Sequence, residues 1–192
     1  MNLAELRDFC RQRTGDVQEP YLWGSPEWNA WLNEAEREAC IRARLIEDWD
    51  SVVITAAAGE SRFALPDYVL DVERVELPDG RELKHFEATR TSLILPRPLR
   101  EPVTLTCHVI RLPKQDMVDD TDEPEIPARW HQRMTDWAIR CAHLKQDSET
   151  FDQQAADRYE ARFTASFGMA HSANVQRKHR RNSPRVTRPI KF

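Results

Sequence analysis

Residues 25–55, SPEWNAWLNEAEREACIRARLIEDWDSVVIT, contain the change of hydrophobic period from which the fold class follows. Trp28, Trp31, Leu32, Ala35, Ala39, Ala43 and Ile46 recur at the spacing of one helix face. Ser25 supplies a cap, and Pro26 sits in the first turn, where its missing N–H costs nothing. Glu34, Glu36, Arg37, Glu38, Arg42 and Arg44 make the opposite, charged face. The alanines let a second helix come close, and the tryptophans anchor one end. At Ser51 the pattern changes: Ser51 to Thr55 is short and β-branched, as suits a strand.

Upstream, Leu3, Leu6, Phe9 and Cys10 mark a first helix, with Asn2 and Glu5 at the capping-box offset and Gly15 as its stop. Residues 1–50 therefore read as a helical hairpin. Downstream, Arg62 to Leu65, Val72 to Leu77, Arg81 to Lys84, Ser92 to Leu95 and Val103 to Ile110 read as further strands, with hairpin turns at Ala58-Gly59-Glu60 and Asp79-Gly80. Such short connections favour antiparallel pairing, so residues 51–126 are expected to form a small sandwich or open barrel. Helices return after Pro127. Trp130, Met134, Trp137, Ala138, Cys141 and Leu144 give one stripe, and Phe151, Ala155, Tyr159, Phe163 and Phe167 give another, closed by Gly168. The expected fold is α+β: two helix pairs (1–50 and 127–170) in one bundle, an antiparallel β-sandwich or barrel insert (51–126), and an extended C-terminal arm (171–192).

The arm is where the charge separates. It holds Arg177, Lys178, Arg180, Arg181, Arg185, Arg188 and Lys191, ends on Phe192, and has no acidic residue, a balance of +7. The whole chain is −4, so residues 1–170 carry −11. A split this sharp speaks to partners rather than to fold. With Pro184, Pro189 and little to bury, the arm is expected to order only against something else. That could be nucleic acid, whose phosphates seven cations could neutralise, an acidic protein surface, or nothing beyond solvent. Only Phe192 among the tail aromatics could stack on a base, which weakens the nucleic-acid reading slightly; a protein target is favoured once the resemblance below is added.

Cys10, Cys40, Cys107 and Cys141 form no Cys-x-x-Cys pair and fall on apolar sides, so reduced, buried thiols of a cytoplasmic product are expected. The first eight residues are charged too early for a signal peptide, and Val52 to Ala58 is too short to span a membrane. The five glycines are too scattered for a phosphate-cradling loop, and the six histidines lack ligand spacing, so no cofactor or zinc is expected. His131 reads as a polar partner at a helix start. Asp116, Asp119, Asp120, Asp122, Glu123 and Glu125 could offer oxygens to calcium, though without the glycine of an EF-hand turn. The alternative is a solvated linker whose last acids favour the N-terminus of the next helix. Asp67, Glu82 and Lys84 have the residue types of a magnesium nuclease: two carboxylates for the ion and a lysine for the attacking water. A surface strand explains them equally well.

Three stretches, in order, resemble the head-to-tail adaptors (head completion proteins) of tailed bacteriophages. The first is Leu6-Arg7-Asp8-Phe9 through Gly15-Asp16, followed by Trp23-Gly24-Ser25-Pro26-Glu27-Trp28 and Leu32-Asn33-Glu34-Ala35. The second is Phe63-Ala64-Leu65-Pro66-Asp67 with Leu70-Asp71-Val72-Glu73-Arg74-Val75. The third is Asp122-Glu123-Pro124-Glu125-Ile126-Pro127 with Trp130-His131. The chain departs from that pattern in its unusually basic arm. The resemblance implies a structural protein of the virion neck, assembled in the host cytoplasm, with no catalytic signature. It implies a ring, generally dodecameric, that sits on the portal protein and offers its far side to the tail or the next connector. DNA passes through the channel, and a C-terminal extension lies against the portal, a role suited to the cations from Arg177 to Lys191. A nucleic-acid-binding protein that grips with the arm, and the magnesium nuclease, are the competing readings.

Overall fold

A computed structural model describes residues 1–146 and 150–170. Helix α1 (Leu3–Thr14) opens with the expected reciprocal cap: Asn2 Oδ1 accepts the Glu5 N–H at 2.9 Å, and the Glu5 carboxylate accepts the Asn2 N–H at 3.1 Å. Gly15 ends it at φ 77°, a conformation that costs glycine little. Helix α2 (Ser25–Ala43) starts one residue earlier than the sequence suggests. Gly24 is the cap, its N–H donates to Glu27 at 2.9 Å, and Ser25 instead accepts from Arg11.

The chain leaves helical geometry at Arg44 (φ 55°), and strand β1 (Ile46–Ala56) begins well before Ser51. Ile46, read as the end of the α2 stripe, is thus a strand residue. It is still buried in the helical core, because the strand leaves directly from the helix end. The strands that follow are β2 (Arg62–Ala64), β3 (Val69–Glu76), β4 (Glu87–Ala88), β5 (Ser92–Ile94) and β6 (Val103–Arg111). They form two three-stranded antiparallel sheets, ordered β1-β6-β3 and β2-β5-β4, and neither closes into a barrel.

The Gly59 turn does not make the expected hairpin. It carries the chain from one sheet to the other, with the Gly59 N–H bonded to the Leu99 carbonyl at 2.8 Å. Asp79-Gly80 does turn the chain back, but Arg81 to Lys84 contributes only an isolated bridge, Glu76 to Glu82. The two sheets share one core built from Val52, Phe63, Val75, Leu93, Leu105 and Cys107 among others.

After Pro127 a short 3-10 turn (Ala128–Trp130) leads into α3 (His131–Leu144), which α4 (Gln153–Phe167) follows. Phe151 precedes α4 and is half exposed rather than part of its stripe, because Asp152 caps the helix through the Ala155 N–H at 2.9 Å. Leu3, Leu6, Trp28, Leu32, Met134, Ile139 and Phe163 fill a second core among the four helices. All four cysteines are free thiols, and burial pushes Cys40, Cys107 and Cys141 up to about 12, 11 and 12.

Candidate functional site

All eight arm residues singled out above, Arg177 to Phe192, lie outside the described residues. The structure does show how the body holds the point from which the arm departs. Arg42, placed by its charge on the outer face of α2, is buried instead. Its guanidinium donates to Glu38 at 2.7 Å, to Thr164 Oγ1 at 3.1 Å and to the Gly168 carbonyl at 3.4 Å. It also lies over the rings of Trp137 and Phe163. One cation therefore satisfies the end of α4 and locks it to α2.

Glu36 is the second inward charge, 2% exposed, and accepts the Ile126 N–H at 3.2 Å. The spacing held a signal for both residues. Glu36 stands four after Leu32, and Arg42 three after Ala39, so each falls within reach of the apolar stripe.

The acidic segment is neither a calcium loop nor a free linker. Its carboxylates go to separate partners: Asp116 to Arg37, Asp120 to Arg7 at 2.6 Å, Glu125 to Arg111 at 2.7 Å, and Asp122 to the backbone N–H groups of Val118 and Asp119. The carbonyls of Asp122 and Asp120 accept the Leu3 and Ala4 N–H groups, so the segment caps α1 rather than the following helix. Asn33 on α2 clamps it, trading bonds with both the N–H and the C=O of Met117. His131 bridges the same junction. Nε2 must donate to the Ile126 carbonyl at 2.9 Å, which leaves Nδ1 to accept from the Met1 amine at 2.9 Å. Residues 112–127 thus form a strap joining the helices to the β sheets.

Asp67, Glu82 and Lys84 are not brought together. They line three different depressions, and Glu82 is 3.7 Å from Arg74. Among the described residues no three His, Cys, Asp or Glu side chains converge as metal ligands. The negative charge also has a location. Residues 44–126 hold eighteen acids against ten Lys and Arg, a balance of −8. Part of it surrounds a depression of about 250 Å³ on the outer face of the β1-β6-β3 sheet, lined by Glu47, Trp49, Glu73, Arg74, Glu82 and His108 among others.

Residues 1–189 match the SU10 adaptor protein family. The chain belongs to that family of phage adaptors. The match extends through most of the arm, so the basic extension falls within the family's length. No curated protein matches the chain. Family membership points to a structural, non-enzymatic role for this adaptor and implies partners in the virion. No helix among the described residues is long and apolar enough to cross a membrane.

Proposed function

We propose that this adaptor forms a ring, a dodecamer by resemblance, beneath the portal in the virion neck, joining portal to tail or next connector. DNA passes through the channel without being held, which suits an acidic body. The observation that carries the reading is the charge split within a family-wide match: a +7 extension leaves a body whose α4 terminus Arg42 locks in place. A single arm binds weakly, but a ring presents many at once, and effective concentration then strengthens the joint by orders of magnitude.

Electron microscopy of the protein mixed with portal tests this. The expected result is a ring stacked on the portal, lost when residues 171–192 are removed. Stable rings of the purified protein without portal would count against assembly on the portal. The seven arm cations keep a second reading, nucleic-acid binding, open to test. If they grip duplex DNA, log affinity falls with log salt at a slope of about −6. The adaptor reading expects little affinity at all.

A further inference from the structure

We propose that the outer face of the β1-β6-β3 sheet is the docking surface for residues 177–192 of the same chain, which lie there until a partner draws them away. This goes beyond portal binding and needs no ring.

Three observations carry it. The first is the chemistry of the face. Cys107 and Val109 point into the core, so Thr106 and His108 point out, together with Val53 opposite Thr106. Trp49 is 55% exposed and meets the His108 ring edge-on at 4.9 Å. Glu47, Glu73 and Glu82 line the same depression, where the one cation among the lining residues is Arg74, already shared between Glu76 at 2.8 Å and Glu82 at 3.7 Å. An exposed indole ringed by carboxylates recognises guanidinium and ammonium groups, through the ring face and through ion pairs.

The second observation is complementarity. The arm is +7, the depression is lined by Glu47, Asp48, Glu73 and Glu82 against Arg74, and Val186, Ile190 and Phe192 interleave with the arm's cations. The third is reach. Arg42, at the end of α2, bonds the Gly168 carbonyl, and Arg44, two residues on, bonds Asp71 at 2.6 Å and lies 3.8 Å from Glu73 on the rim of the depression. The C-terminal arginines of α2 thus link the end of α4 to the rim of the depression. The arm's 22 residues could extend up to ~70 Å. The covalent tether gives a local concentration on the order of millimolar, far above the protein's own.

The test uses the full chain. At low salt, trypsin should cut the wild-type arm several-fold more slowly than the arm of Glu47→Lys/Glu82→Lys, and half-molar salt should erase the difference. Circular-dichroism melting checks that the variant is folded. Acrylamide quenching of the wild type needs no variant: Trp49 is the most exposed tryptophan among the described residues, so quenching should rise as salt releases the arm. Equal cutting rates, or quenching that salt leaves unchanged, overturn the proposal. Protection that grows with protein concentration overturns it too, because it seats the arm on a second copy. Portal binding separates this inference from the proposed function. Glu47→Lys/Glu82→Lys should bind portal a few-fold more tightly, whereas unchanged binding with equal cutting rates removes self-docking and leaves portal docking standing.

Discussion

Glu36 and Arg42 are the charged side chains that α2 turns inward, and each sets a measurable property. Burial raises the Glu36 carboxyl to about 7, against the opposing bonds from the backbone N–H groups of Ile126 and Glu125. An acid whose folded pKa exceeds its ordinary 4.5 holds a proton better in the folded state. Stability is then greatest below pH 4.5 and declines up to about pH 7, by on the order of 3 kcal/mol. Urea midpoints across this range should fall for the wild type and stay flatter for Glu36→Gln. Asp48 acts in the opposite window. Burial pushes its carboxyl up, but Ser51, Arg111 and Lys114 outweigh that and hold it well below the usual range, so its contribution is lost only on acidification. Arg42→Ala leaves Glu38 and the end of α4 without their cation and should cost about 3 kcal/mol in thermal unfolding. Faster hydrogen exchange at the end of α4 should accompany that loss.

At the scale of elements, the strap over residues 112–127 is what the patterns could not show. Its acids read as a solvated run because their partners, Arg7, Arg37 and Arg111, sit on α1, α2 and β6. Nothing in the local sequence pairs them. Asn33 gives the sharpest test. Asn33→Ala strands both the N–H and the C=O of Met117 in a buried site. The expected cost is about 2 kcal/mol in denaturant unfolding, with markedly faster exchange of the Met117 amide. A similar lesson comes from Ile46: the periodicity that assigned it to α2 placed it in the correct core by the wrong element, since a strand leaving directly from the helix end keeps its first side chain inside.

For the whole molecule, two apolar cores and one charge gradient matter. The arm holds seven Lys and Arg and two prolines among its 22 residues, and little that could add to an apolar core. Removing residues 171–192 should therefore move the melting temperature by only a degree or two, while abolishing capture by portal. A large drop in melting temperature would show that the arm contributes to the folded body. The gradient, from −8 over residues 44–126 to +7 over the arm, is a property no single element has. It makes the arm's first encounter one of charge with charge, which added salt weakens.

The cap and stop of α1, the stop of α4 at Gly168, the antiparallel character of the strands, the charge split and the family resemblance were all legible in the chain alone. Each depends on neighbours a few residues apart or on counting. Tertiary structure decided that β1 pairs with β6 rather than with β2, that Glu36 and Arg42 are buried, and that Asp67, Glu82 and Lys84 stay apart while Glu47, Glu73 and Glu82 line one depression with Trp49. Those outcomes join residues far apart in sequence. They are selected by which surfaces can be buried together with every polar group satisfied, a condition on the whole fold and not on any stretch of it.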